Sequence, residues 1–264
     1  MIKVGVVGAL GKMGKEVVKA VFGAEDMELV SAVDIQKTGE DIGELVLGQK
    51  LGVFIKSDIV ESIKTDKPDV IIDFTQPNTI YEHVCTFVEN GVHCVIGTTG
   101  LNDEQLANIK KMSAEKKVSC LVAPNFSTGA ILLMQFAKQA AKYFDNAEII
   151  ELHHNQKKDA PSGTAIKTAK LMAEANDNFA TGNCPEVELI QGARGANAEA
   201  NIRIHSVRMP GYIASQEVIF GSNGQLLNIK HDTMDRSCYM AGVLLAVRHV
   251  CSTVDFVYGL ENIM

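Results

Sequence analysis

Residues 3–14 read K-V-G-V-V-G-A-L-G-K-M-G, and the fold turns on this stretch. Lys3 to Val7 is a short apolar run of the kind that forms a buried strand. Gly8, Ala9, Leu10, Gly11, Lys12, Met13 and Gly14 follow, and then a helical pattern to about Phe22 with Val17, Val18 and Val21 on one face. A second strand pattern, Glu28 to Val33, ends at Asp34. Strand, glycine turn, helix and strand make a βαβ unit. The turn is GxxGxxG, with Leu10 where the middle glycine of GxGxxG usually stands, so its spacing alone is a weak signal. Its context carries more. An acid ending the second strand is placed to hydrogen-bond an adenosine ribose, and the glycines let a pyrophosphate approach the helix N-terminus. The alternative is a tight structural turn followed by an unrelated acid; the context favours dinucleotide binding.

The alternation continues. Asp69 to Phe74 reads as a buried strand, Tyr81 to Glu89 as a helix, His93 to Ile96 as a strand, Glu104 to Lys116 as a helix and Val118 to Val122 as a strand. Such a series predicts a Rossmann-type, doubly wound parallel sheet with its ligand crevice at the carboxyl ends of the strands. Asp34, Phe74-Thr75, Gly97-Thr98-Thr99 and Asn125-Phe126 all fall at such ends.

After Asn125 the texture changes. A long helical pattern, Ala130 to Phe144, leads into a strand, Glu148 to Leu152. Strand patterns at Val187–Ile190, Asn201–Val207, Ser215–Phe220 and Leu226–His231 then succeed one another between glycine-rich turns. Consecutive strands without long helices predict a second, α+β domain on a mixed sheet. The expected division is 1–126 plus 237–264 for dinucleotide binding and 127–236 for substrate binding and oligomerisation. The tail contributes a helix from about Arg236 to Val250 and a final segment, Asp255 to Leu260.

Within the second part, residues 151–165 read E-L-H-H-N-Q-K-K-D-A-P-S-G-T-A. Ala165, Ile166, Ala169, Met172 and Ala173 repeat at helical spacing, and Pro161 and Ser162 stand where a helix starts. A helix N-terminus with unpaired N–H groups, beside His153, His154 and Lys157, is a place for a carboxylated or phosphorylated substrate with a proton donor next to it. A solvated polar turn is the bland alternative for any one of these residues; the cluster argues against it. Neighbouring histidines at a strand end point to opposite sides and do different jobs. They lack a nearby third ligand, Asp159 being a poor one, so no metal is expected. The absence of a GxSxG elbow argues against a serine hydrolase.

The composition fits this reading. The chain has 264 residues, 46% hydrophobic and 22% charged, with net charge -7. That is enough for a substantial core and argues against a nucleic-acid partner. The six cysteines form no CxxC pair and are expected to be buried, reduced thiols of a cytoplasmic protein. No apolar run approaches the ~18 residues of a membrane span, so no membrane partner is expected. Glycines 5, 8, 11 and 14 break up the apolar start that a secretory leader would need.

The sequence resembles, end to end, the dihydrodipicolinate reductase (4-hydroxy-tetrahydrodipicolinate reductase) family of bacterial lysine and diaminopimelate synthesis. The resemblance rests on G-A-L-G-K-M-G at 8–14, D-F-T at 73–75, G-T-T-G at 97–100, A-P-N-F-S at 123–127 and above all the stretch at 151–165. It implies NAD(P)H-dependent reduction of 4-hydroxy-tetrahydrodipicolinate, a small dicarboxylate, to tetrahydrodipicolinate. His153 would be the proton donor and Lys157 the second catalytic residue, with His154, Ser162, Gly163 and Thr164 on the substrate carboxylates. Gly8 to Met13, Asp34, Phe74, Thr75, Gly97, Thr98, Thr99, Ala123, Pro124, Asn125 and Phe126 would line the cofactor site. It also implies a homotetramer assembled through the second sheet. Family members often carry His in the strand around Ser215-Gln216-Glu217, where this chain has Ser215. Asp34 favours NADH, while Lys12 and Lys37 could reach the extra phosphate of NADPH, so both are expected with NADH preferred. The rival readings are a related two-domain dehydrogenase of an amino or semialdehyde acid, and a nicotinamide-binding sensor without catalysis.

Overall fold

The structure is a computed structural model that describes residues 1–181 and 184–264. In chain order the elements are β1 (Ile2–Val7), α1 (Lys12–Phe22), β2 (Met27–Val33), α2 (Ile42–Leu47), β3 (Ile55–Lys56), α3 (Ile59–Asp66), β4 (Val70–Asp73), α4 (Ile80–Glu89), β5 (His93–Ile96), α5 (Asp103–Lys116) and β6 (Cys120–Val122). They continue with α6 (Thr128–Ala140), β7 (Asn146–His153), α7 (Gly163–Ala173), β8 (Ala196–Asn197), β9 (Arg203–Arg208), β10 (Ala214–Ser222), β11 (Gln225–Thr233), α8 (Met240–Ser252) and β12 (Phe256–Tyr258). The chain divides into two compact units, Met1–Ser127 with Tyr239–Met264, and Thr128–Cys238.

The first unit holds a seven-stranded sheet in the order β12-β6-β5-β4-β1-β2-β3, with every pair parallel. Parallel strands are buried on both faces, which is why β1, β4 and β5 read as unbroken apolar runs. The apolar faces of α1, α4 and α5 supply Val17, Val84, Phe87 and Ile109, all wholly buried. The tail belongs to this unit. On α8, Gly242 lies so close to Phe126 O that a Cβ would overlap it. Arg248 forks onto Asp26 at 2.7 and 2.9 Å.

The second unit holds a mixed five-stranded sheet in the order β11-β10-β7-β9-β8. β10 is antiparallel to both β7 and β11, and β9 is parallel to β7. Helices α6 and α7 cover one face, where Gln216 donates to Thr168 Oγ1 at 2.7 Å.

Several expectations are corrected. Val187–Ile190 is not a strand: Val187, Leu189 and Ile190 are exposed, and the edge of β9 is taken by β8 instead. Ile166 is exposed and does not join the buried face of α7. The long helix pattern stops at Ala140 and passes into a 3-10 turn, Ala141–Tyr143. A 3-10 turn, Arg236–Tyr239, also precedes α8. No disulfide joins the cysteines among the described residues, but only Cys94 and Cys120 are buried; Cys85, Cys238 and Cys251 are half-buried and Cys184 is exposed.

Candidate active site

Two clusters carry chemistry, one in each unit. In the first, the N–H groups of Gly8 and Ala9 both donate to Val33 O, at 2.9 and 3.2 Å, so the glycine turn is stitched to the end of β2. Gly8 has φ +76°, and a Cβ there would stand 3.1 Å from Phe74 O. At Gly14 a Cβ would overlap Gly8 O, so only glycine lets α1 start against the turn. Leu10 serves at the middle position through its backbone: its N–H donates to Asp34 Oδ2 at 2.9 Å. Helix α1 begins after Gly11 with no side-chain cap and no acid in its first turn. Its first N–H groups therefore lack intrahelical partners and carry the positive end of the helix dipole. An uncapped helix start, an unobstructed glycine turn and an acid one strand away fit a dinucleotide.

The neighbouring strand ends are joined by Asp73, a wholly buried acid at the end of β4. It accepts from Thr75 N–H and Oγ1 at 2.8 and 2.7 Å, from Thr98 Oγ1 at 3.1 Å and from His83 Nδ1 at 2.9 Å. A Cβ on Gly97 would run into the Phe74 ring, which in turn packs on Phe126 at 5.7 Å between centroids. Ala123 N–H donates to Ile96 O at 3.0 Å, and Asn125 Oδ1 accepts from Ser127 N–H at 2.8 Å. Pro124 and Thr99 are exposed beside them. The residues expected at the cofactor site thus gather at the carboxyl ends of β1, β2, β4, β5 and β6. Asp73 and His83 are the members that sequence reading left without a role.

The second cluster surrounds His153, the last residue of β7. Two residues earlier on the same face, Glu151 is wholly buried. His153 Nδ1 donates to its Oε2 at 2.5 Å. Arg208 on β9 forks onto the same carboxylate, Nη1 to Oε2 at 2.9 Å and Nη2 to Oε1 at 2.7 Å. Ser162 N–H donates to Oε1 at 3.1 Å. Burial opposes the charge on Glu151, but the hydrogen bonds from Arg208, Ser206 and His153 outweigh it and hold the carboxyl below its ordinary range. For His153, burial is the strongest influence and lowers its pKa. Glu151 pulls it up, Lys157 and Arg208 push it down, and the net direction is down.

Lys157 is largely covered and gives Nζ to both oxygens of Asp159 at 2.8 Å, so Asp159 is an ion-pair partner. Helix α7 starts as expected: Ser162 caps it, accepting from Ala165 N–H at 3.2 Å, and no acid occupies its first turn. Gly163 is exposed, and His154 and Thr164 are half-buried. Sequence reading gave Glu151 no role, though its place two residues before His153 on one strand face could have found it; Arg208 lies 57 residues from Glu151 and left no signal. Among the described residues no group of three or more His, Cys, Asp or Glu is placed to hold a metal ion.

A parallel dinucleotide-binding sheet and a separate mixed-sheet unit carrying a His–Lys cluster define a two-unit nicotinamide-dependent oxidoreductase. The sequence comparisons refine that class. Residues 2–126 match the family described as dihydrodipicolinate reductase, N-terminus, and residues 129–264 match its C-terminus. The chain is similar to the 4-hydroxy-tetrahydrodipicolinate reductase of Listeria innocua, with 49% identity over 263 residues and all of both chains covered. It is also similar to that of Rippkaea orientalis, with 51% identity over 270 residues, 100% of this chain and 98% of the relative. Among solved structures it resembles the dipicolinate-bound dihydrodipicolinate reductase from Paenisporosarcina sp. TG-14. That chain has a TM-score of 0.90 and 44% identity, with 100% of both chains covered. The chain belongs to the dihydrodipicolinate reductase family. Its reaction is the NAD(P)H-dependent reduction of 4-hydroxy-tetrahydrodipicolinate in lysine and diaminopimelate biosynthesis.

Proposed function

We propose that His153 delivers the proton in this reduction and that Lys157 is the second catalytic residue, set against the charge of the substrate. His154 and the start of α7 at Ser162, Gly163 and Thr164 bind the substrate's carboxylates. The observation that carries this reading is the His153–Glu151 contact at 2.5 Å with Lys157 and an acid-free helix N-terminus in the same cluster. The solved relative's ligand, dipicolinate, is a dicarboxylate and suits such a site. The cofactor is NADH or NADPH, held by Gly8 to Met13, Asp34, Phe74, Thr75, Gly97 to Thr99 and Ala123 to Phe126. When bound, the nicotinamide supplies the hydride. The chain's own residues orient the two reactants, neutralise the carboxylates and furnish the proton. In this reading residues 1–126 with 237–264 bind the dinucleotide, and 127–236 bind substrate and mediate assembly as a homotetramer. Among the described residues no helix is long and apolar enough to cross a membrane, and the reading takes the reaction to run in the cytoplasm.

His153→Gln should lower kcat by roughly 10²–10⁴-fold, as loss of a general acid does. Lys157→Ala should lower kcat and raise KM for the substrate. Both should leave nicotinamide affinity in calorimetry unchanged, because the altered side chains lie in Thr128–Cys238 and the glycine turn does not. A variant that loses cofactor affinity together with activity would overturn the division of labour.

A further inference from the structure

We propose that Glu151 and Arg208 are positioning residues for His153: the pair fixes the imidazole with its hydrogen on Nδ1 and its lone pair on Nε2, so that Nε2 takes up the reaction's proton when a dicarboxylate binds. The proposal rests on the reading of His153 as proton donor and adds how that donor is loaded.

The geometry carries it. An ionised carboxylate only accepts hydrogen bonds, so the 2.5 Å contact between Glu151 Oε2 and His153 Nδ1 requires the hydrogen on Nδ1. In the neutral ring Nε2 is then bare and has no proton to give. A solitary buried carboxylate at that distance would draw a second proton onto the ring. Here its charge is already engaged by the Arg208 fork, at 2.7 and 2.9 Å, and by Ser162 N–H at 3.1 Å. Arg208 is itself anchored, donating to Val207 O and Asp159 O at 2.8 Å each. The pair thus locks orientation and tautomer while contributing little net charge.

The groups facing His153 are Glu151 on β7, Arg208 on β9 and Lys157 in the following loop, with Asp159 paired to Lys157. Burial, Lys157 and Arg208 together outweigh Glu151 and keep the ring's pKa down. A dicarboxylate reverses that balance. Two negative charges beside Lys157 and His153 favour the imidazolium. The proton enters at Nε2 from solvent, making the N–H bond that the reaction later breaks, and the ring returns to the neutral Nδ1–H form.

The test uses the full chain. Nitrogen-15 spectra of the free wild-type enzyme above pH 7 should show His153 with a protonated Nδ1 and a bare Nε2. Adding pyridine-2,6-dicarboxylate should convert it to the imidazolium. Calorimetry of the same titration in buffers of different ionisation enthalpy should show uptake approaching one proton per site, abolished by His153→Gln. Glu151→Gln leaves Arg208 uncompensated and should move the alkaline limb of the kcat profile to lower pH by about one unit or more. Arg208→Met should move it to higher pH, and the double variant should lie between them with a low kcat. A free enzyme whose His153 carries its hydrogen on Nε2, or binding with no proton uptake, overturns the proposal on wild-type protein alone, whatever the variants' folding. A limb unmoved by either single substitution also overturns it while His153→Gln remains inactive. If His153→Gln keeps full kcat, the proton-donor reading itself falls.

Discussion

At the scale of the residue, the proposed reading makes cofactor choice turn on Asp34. Its Oδ2 takes Leu10 N–H at 2.9 Å and its Oδ1 takes Gln36 N–H at 3.1 Å, so the carboxylate is held in place. Its remaining lone pairs can receive ribose hydroxyls and would repel a 2′-phosphate. Lys37 is engaged with Glu40 at 2.9 Å, and both side chains are about half exposed. Such a pair is worth only ~0.2–1 kcal/mol, so a phosphate can compete for the lysine. The expected outcome is use of both cofactors with NADH favoured by about tenfold or less in kcat/KM, tenfold being ~1.4 kcal/mol. Asp34→Ala should erase the preference, Lys37→Ala should weaken NADPH alone, and Glu40→Gln should raise NADPH use a few-fold at low salt. Steady-state kinetics with both cofactors at two salt concentrations decide it. A preference for NADPH untouched by Lys12→Ala and Lys37→Ala would place the ribose elsewhere. The place of Asp34 just after β2 was legible because a βαβ unit puts the end of its second strand at a known place. The grouping of His153 with Lys157 and the start of α7 was legible because these residues are neighbours in sequence. Asp73 and Arg208 act across 10 to 57 residues, and a single sequence carries no mark of such pairings.

At the scale of the element, the long periodic pieces were readable and the short ones were not. Residues 35–57 hold α2 with six residues and β3 with two, too few for a period to show. What organises them is one side chain. Asp41, 5% exposed, caps α2 by accepting from Gly43 and Glu44 N–H at 2.8 and 3.3 Å. It also accepts from Leu51 N–H at 3.2 Å and Gly52 N–H at 2.7 Å, closing the loop after the helix. Burial works against its charge, yet these N–H groups prevail and hold its pKa below the ordinary carboxyl value. Asp41→Ala should cost about 1–3 kcal/mol, a cap plus hydrogen bonds, read by urea unfolding. Because the folded-state pKa is the lower one, the contribution is present above about pH 4 and is lost as pH falls through the folded value. The gap between wild type and variant should therefore narrow in acid. A gap independent of pH would mean that the carboxylate charge is not what the loop uses. Val187–Ile190 failed for a related reason: four residues are too short a run for apolar content to tell a strand from an exposed segment, and β8 takes the place beside β9.

At the scale of the whole molecule, the second sheet has one face that no helix covers among the described residues. Alternation along the strands divides it. Ala147, Ile149 and Glu151 of β7 share a face with Gln216, Val218 and Phe220 of β10, the face under α6 and α7. The register puts Ile150 and Leu152 of β7, Val207 of β9, Ile219 of β10 and Leu226 of β11 on the opposite face. The first four are half-buried and Leu226 is 76% exposed. On the same face stand Arg203, Lys230 and Asp232, with Glu148 beside Ile219 and Glu217 beside Ile150, so charges of both signs are interleaved with the apolar residues. A helix-free sheet face that mixes apolar side chains with charges of both signs can pair with a second copy of itself, apolar on apolar and acid on base. Light scattering at micromolar concentration should therefore give a mass close to four times the 28.5 kDa of the chain. Ile219→Asp puts an acid in place of an apolar side chain on this face and should shift the mass towards smaller species at unchanged far-ultraviolet circular dichroism. Leu45→Asp, a similar change on the exposed side of α2 in the first unit, should leave the mass where it was. A wild-type monomer would end the argument, and an Ile219→Asp protein of undiminished mass would move the interface off this face.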